Sequence, residues 1–273
     1  MFEQNTPRTT MASAAQHANL IYHSIVRDVR KSHNNAVLSI LFNMLQAAMF
    51  VIAFYVMFSV LGLRSSAVRG DFLLYIMSGI FLFMTHTKTL ASVVGSEGPN
   101  GQMMKHAPMN TAISILSAAL GTLYIQVLSL VVILFIYHAI FSPITIEEPI
   151  GALGCLLIAW FSGGAIGLVF LAIKPWFPRT VGIISTIYQR ANMIASGKMF
   201  LANTLPGYML AMFDWNPLFH AIDQARGHIF INYYPRYSSV EYPIYLSLVL
   251  LMIGLMIEFY TRRHASVSWG ARR

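Results

Sequence analysis

TAISILSAALGTLYIQVLSLVVILFIY, residues 111 to 137, holds no charged side chain and exceeds the roughly 20 apolar residues that a helix needs to cross a bilayer. Residues 36 to 60 and 150 to 172 are equally free of charge. Residues 72 to 94 are uncharged as far as Thr87 and then meet Lys88, which reads as a lysine snorkelling near a cytoplasmic end. Two weaker stretches complete the set: 181 to 200, which carries Arg190 and Lys198, and 243 to 260, which ends in Glu258 ahead of Arg262 and Arg263. The six stretches predict an all-α polytopic membrane protein with six transmembrane helices.

Composition agrees with that reading. Of 273 residues 56% are hydrophobic and 10% charged, whereas soluble domains carry about 25% charge. Eighteen Lys+Arg and 10 Asp+Glu cannot cover the surface of a soluble chain of this length, so soluble enzyme classes are set aside. Cys155 is the single cysteine, which leaves neither a disulfide framework nor a thiolate metal site within one chain. No continuous apolar run precedes Ala36, so a cleavable secretory peptide is not expected.

Six spans place both termini on one side. Twelve of the 18 lysines and arginines then fall in the tails and the loops after spans two and four, five fall on the opposite face, and Arg190 lies inside a span. The asymmetry predicts N-in and C-in. The formal net charge of +8 reads as this topology signal and as attraction to anionic membrane lipids, not as a nucleic-acid surface, because no basic stretch is interleaved with base-stacking aromatics.

Residues 17 to 33 are amphipathic, with Ala18, Ile21, Tyr22, Ile25 and Val29 at helical spacing. They read as an N-terminal interfacial helix, or otherwise as a solvated leader to the first span. Gly95 to Asn110 is short, polar and rich in glycine and proline, suited to a plain turn or to a docking surface for a cytoplasmic partner. Leu201 to Tyr242 is moderately apolar but broken by Pro206, Pro217 and Pro235, so it cannot be one straight span and reads as short re-entrant or interfacial extracytoplasmic helices before the last span. The tyrosines near its end, among them Tyr233, Tyr234 and Tyr237, fit either an outer aromatic belt or contacts with a ligand.

Little here announces bond chemistry. His220 and Asp223 stand three apart, as half of a metal site or an acid/base pair would, but no third ligand follows; Arg226, three further on, makes an intrahelical ion pair with Asp223 the economical expectation. Arg190 is either a charge at membrane depth facing a wet pathway or a residue near the cytoplasmic interface. Gly163, Gly164 and Gly167 offer a small-residue face for close helix packing. The only Gly-Lys, Gly197-Lys198, lacks the rest of a phosphate loop, so no nucleotide site and no cofactor is expected on this chain.

Three stretches resemble the membrane permeases of type-2 ABC exporters that move capsular polysaccharide and related lipid-linked glycans: Val26-Arg-Asp-Val-Arg-Lys31 entering the first span, Ser196-Gly-Lys-Met-Phe200 followed by Leu205-Pro206, and Trp215-Asn-Pro-Leu-Phe-His-Ala-Ile-Asp-Gln-Ala-Arg226. The last is similar to an Asn-Pro-x-x-His-x-x-[Glu/Asp]-x-x-Arg run of that family. Asp223 stands where many members have Glu, Lys198 where the family is usually apolar, and Ser32 to Asn35 where relatives often have an arginine- and glycine-rich turn. The resemblance implies that residues 1 to 273 form a single transmembrane domain in the bacterial inner membrane. It implies a homodimer around a central channel, with two ABC ATPase subunits that use ATP and Mg docked beneath it.

On this resemblance Glu97, Pro99, Lys105 and His106 would couple to the ATPase, and Asn216, Pro217, His220, Asp223 and Arg226 would organise the exit. Arg190, Tyr233, Tyr234 and Tyr237 are candidates for the glycan path. The substrate would be a lipid-linked polysaccharide, and the arrangement leaves room for periplasmic and outer-membrane export proteins. Two other classes compete: a membrane-embedded glycosyl or acyl transferase using His220 and Asp223, and a secondary transporter or channel.

Overall fold

Apolar periodicity becomes helix almost everywhere in the computed structural model, which describes residues 18–27, 36–60, 62, 70–96 and 111–264. The helices are α1 (18–27), α2 (Ala36–Val60), α3 (Phe72–Gly95), α4 (Thr111–Ile140), α5 (Pro149–Ile173), α6 (Pro178–Ala195), the single turn α7 (Gly207–Leu210), α8 (Pro217–Ile229) and α9 (Glu241–His264), with a 3-10 turn at Ala202–Thr204. No strand occurs among the described residues. Among the described residues five helices, α2, α3, α4, α5 and α9, are long and apolar enough to cross a membrane.

α3 is the axis of the bundle. Asp71 caps it by accepting the Leu73 amide at 2.9 Å, and its side chains from Leu74 to Thr87 are all buried. α5 lies directly against it because Gly163 has no Cβ; a methyl there would sit 2.4 Å from the backbone oxygen of His86. α9 packs on the far side of α5, and α2 and α4 pack on α3 through Phe54, Phe58, Phe83 and Tyr137. The outer faces of α2, α4 and α9 carry large exposed apolar side chains, among them Leu41, Phe135 and Met256, as lipid-facing helices do.

α6 departs from the sequence expectation. The stretch 181 to 200 starts earlier, at Pro178, and stops at Ala195, where Ser196 to Phe200 turns the chain through Gly197 at φ 73. Glycine accepts that left-handed conformation without penalty and ends the helix. With Arg179, Thr180, Ser185, Thr186, Gln189, Arg190 and Asn192 along 18 residues, α6 is not among the five helices apolar enough to span. In the amphipathic N-terminal stretch, 18–27 is helical, with Tyr22 exposed and Ser24 buried; the remainder of 17 to 33 lies outside the described residues. Residues 201–242 fold, between their prolines, into the 3-10 turn, α7 and α8.

Candidate functional site

The first site forms around α8. Asn216 caps the helix, its side-chain oxygen accepting the Leu218 amide at 3.1 Å, and Pro217 follows at the first turn, where its missing N–H costs nothing. The Asn216 side-chain amide also donates to Asn192 Oδ1 at 2.7 Å and to the Ala195 carbonyl at 2.9 Å, tying α8 to the end of α6.

Arg226 is 0% exposed, and its guanidinium gathers three carbonyls of the turn after α6: Nη1 donates to Gly197 at 2.9 Å and Phe200 at 2.6 Å, and Nη2 to Lys198 at 2.6 Å. Its carbon lies 4.2 Å from the Tyr75 ring centroid. The planar fork suits this task, because among the described residues the Lys198 and Phe200 carbonyls have no backbone donor and the Gly197 carbonyl has only the Phe200 amide at 3.3 Å. α3 admits the turn at Gly79, where a Cβ would stand 2.9 Å from that of Lys198.

Asp223 is also buried, and it accepts from the Tyr233 hydroxyl, from Ser238 Oγ at 2.7 Å and from the Ala202 amide at 3.3 Å. Burial first, and then the adjacent Asp223 carboxylate, push the Tyr233 hydroxyl above the usual phenol range. The expected Asp223–Arg226 ion pair is absent. Each group is satisfied instead by a different chain segment, Arg226 by 197–200 and Asp223 by 202, 233 and 238.

His220 has both nitrogens engaged. Nδ1 accepts the Ser239 amide at 3.0 Å, so the proton resides on Nε2 and is donated to the Asp214 carbonyl at 2.6 Å. A ring held this way has no nitrogen free for acid/base chemistry. Tyr233 is buried, whereas Tyr234 and Tyr237 are 75% and 53% exposed. The three tyrosines are thereby split between an internal role and the surface.

A second polar region runs between α2, α3, α4 and α6. Asn43 Nδ2 donates to Ser129 Oγ at 2.8 Å, and Asn43 Oδ1 accepts from Gln126 Nε2 at 3.0 Å and from Lys88 Nζ. Lys88 therefore does not snorkel towards an interface; it turns inward to Asn43, and α3 continues to Gly95. Two adjoining cavities flank it. One of 310 Å³ is lined by Ser39, Asn43, Gln46, Lys88, Thr122 and Gln126, and one of 300 Å³ by Gln46, Phe50, Phe83, Lys88, Thr186, Gln189 and Arg190. Arg190 is exposed on α6 and faces this second cavity.

Lys198 lies behind the second cavity. It is 3% exposed, and its Nζ has no hydrogen-bond partner among the described residues. Nζ stands 3.5 Å from the Phe83 ring centroid and 5.0 Å from that of Phe54.

Two further polar clusters escape the sequence reading. His86 is fully buried and bridges three helices, Nδ1 meeting Ser162 Oγ at 2.9 Å and the Ala159 carbonyl at 3.2 Å, and Nε2 meeting the Tyr188 hydroxyl at 3.1 Å. Asp71 accepts from Tyr137 and Ser142 at the edge of a largely apolar 660 Å³ groove between α2, α3 and α4. Burial raises its carboxyl, but donors from Tyr137, the Leu73 amide and Ser142 outweigh this and hold it below the ordinary carboxylate value. The signal for the Asn43 network was visible in principle: Asn43 and Gln46, and Gln126 and Ser129, each stand three apart inside otherwise apolar spans.

Glu97, Pro99, Lys105 and His106 lie outside the described residues. Among the described residues no group of three or more His, Cys, Asp or Glu side chains is placed to hold a metal.

No family model matches the chain. Over 200 residues it is 24% identical to a polysialic acid transport protein, KpsM, of Escherichia coli, an alignment that covers 72% of this chain and 76% of the relative. A second Escherichia coli protein of the same name is 23% identical over the same shares. The chain is a distant relative of these transport proteins. With five helices apolar enough to span among the described residues, it is an integral membrane protein.

Proposed function

We propose that this chain is the permease subunit of an ATP-driven ABC exporter that moves capsular or related lipid-linked polysaccharide across the bacterial inner membrane. The observation that carries the reading is similarity to polysialic acid transport proteins over 72% of the chain. The site geometry supports transport over bond chemistry, since His220 and Asp223 are committed to structural partners. In this reading α6 completes six crossings, N-in and C-in, with its polar residues facing a path instead of lipid. The segment from Ala202 to Ile229 lies at the exit, re-entrant from the extracytoplasmic side. Two copies form the channel, and two ABC ATPase subunits supply ATP hydrolysis, docking at Gly95 to Asn110 through Glu97, Pro99, Lys105 and His106.

The test is co-purification of the tagged chain with its ATPase, followed by glycan uptake into inverted inner-membrane vesicles. ATP-dependent uptake is expected, together with loss of both binding and uptake when Glu97 is reversed to Lys. A chain that binds no ATPase, or moves glycan without ATP, overturns the proposal.

A further inference from the structure

The 660 Å³ groove between α2, α3 and α4 is graded along its length. At one end lie Tyr55, Asp71 and Tyr137, near the points where α2 ends at Val60, α3 begins at Phe72 and α4 ends at Ile140. Three helices of membrane-spanning length terminate there, so this end belongs to the membrane surface. At the other end lie Ala48, Met77 and Ile133, about 10 Å further along the helices at the α-helical rise. Asp71 is the one charged residue of the lining, and the deep end is apolar. On the rim, Ile52 and Ile136 are 61% and 41% exposed, so the groove opens sideways between α2 and α4, the helices with apolar outer faces.

The shallow end carries a fixed negative charge. Asp71 accepts from the Leu73 amide and from the hydroxyls of Tyr137 and Ser142, all of them neutral donors, and these hold its carboxyl in the ionised form. It has no ion pair among the described residues. Chain depth, surface polarity and a carboxylate at the mouth thus occur in the order in which a cationic amphiphile would need them.

From this gradient we infer that the groove holds a phospholipid with an ammonium headgroup, phosphatidylethanolamine. One acyl chain lies along Ala48, Met77 and Ile133, and the ammonium donates to Asp71 while the lipid's phosphate stays in water. An anionic headgroup would be repelled by Asp71, and a choline headgroup carries the cation without an N–H to donate. The lipid acts as a packing partner that joins α2 and α4 across the start of α3. This inference stands apart from the transport reading and needs neither ATP nor an ATPase.

The experiment uses the purified full-length chain in nanodiscs of equal parts phosphatidylethanolamine, phosphatidylcholine and phosphatidylglycerol. The chain is then transferred to mild detergent, and the lipid that stays bound is counted by native mass spectrometry. Phosphatidylethanolamine is expected to be retained about tenfold over the other two. Its N-methyl and N,N-dimethyl forms keep the charge and remove donors one at a time, so retention should fall stepwise towards that of phosphatidylcholine. Asp71→Asn, which still caps α3, should abolish the headgroup preference. Ala48→Phe, which fills the deep end, should lower retention of phosphatidylethanolamine about tenfold, whereas Leu41→Phe, on an exposed site outside the groove, should leave it within about twofold. Equal retention of the three lipids by the unaltered chain, a preference for phosphatidylglycerol, a preference that survives Asp71→Asn, or retention unchanged in Ala48→Phe overturns the proposal. Where Asp71→Asn fails to fold, the methylated series on the unaltered chain decides, and a flat series overturns it.

Discussion

The cluster around α8 and the groove beside α6 are both polar regions inside an apolar bundle, and they treat charge in opposite ways. Around α8 the charged groups have found protein partners: Arg226 three carbonyls, Asp223 two hydroxyls and an amide. In the groove Arg190 has none among the described residues, and Lys88 shares one neutral acceptor. A buried polar group held by several protein partners fixes a fold, as Arg226 does although its Nε has no partner among the described residues, while one left unmatched at an accessible cavity is available to something else. The α8 cluster is therefore read as scaffold and the groove as working surface, although it is α8 that carries the family-like motif.

The sharpest way to break this contrast is at Arg226. Arg226→Ala should destabilise the chain by about 3 kcal/mol or more, because it leaves the Lys198 and Phe200 carbonyls without a donor and the Gly197 carbonyl with only the Phe200 amide. The midpoint of thermal unfolding in detergent, with size-exclusion profiles, reports this. Arg226→Lys should recover little, since one ammonium cannot reproduce the fork. Exchanging Asp223 and Arg226 should recover nothing, because they are not each other's partners; recovery on exchange would restore the ion-pair view and blur the distinction between the two regions.

A middle-sized effect is expected at Asn43, where the groove touches the scaffold. Asn43→Leu removes the acceptor of Lys88 and Gln126 and the donor to Ser129, and should cost about 1 kcal/mol by the same assay. A loss as large as that of Arg226→Ala would move this network into the scaffold class. The smallest effect is at the periphery. His228 Nδ1 and Glu148 Oε2 meet in a hydrogen bond at 2.7 Å with the carboxylate side chain 64% exposed, and Glu148→Gln should shift stability by less than about 1 kcal/mol.

Much of the architecture was readable because it is local. Charge-free runs gave α2, α4 and α5, and Asn216-Pro217 announced the start of α8 through capping chemistry alone. Reading stopped where partners are remote. Spacing can pair Asp223 with Arg226, three residues away, but it cannot show that a turn near residue 198 offers carbonyls that compete better. Lys88 illustrates the same limit: its position suggested an interface, and its partner is 45 residues distant on another helix. Tyr233 and Tyr234 are adjacent and chemically identical, and only packing assigns one to Asp223 and the other to the surface. The end of α6 was within reach, since Ser196-Gly197 carries a glycine stop that a search for a long apolar run passed over.

The missing side chain at Gly163 bears on how such a chain can drift. Because the backbone of α3 fills the place where a methyl would go, the α3–α5 seam has no slack, and a substitution there must be answered by movement of two helices at once. On the outward sides of α2, α4 and α9, where Leu41, Phe135 and Met256 are exposed, one apolar residue serves about as well as another. Mutational tolerance is thus distributed radially, close to nil along the central seam and broad at the rim, so the molecule can adapt to a new bilayer without disturbing the alignment of the helices that set its interior.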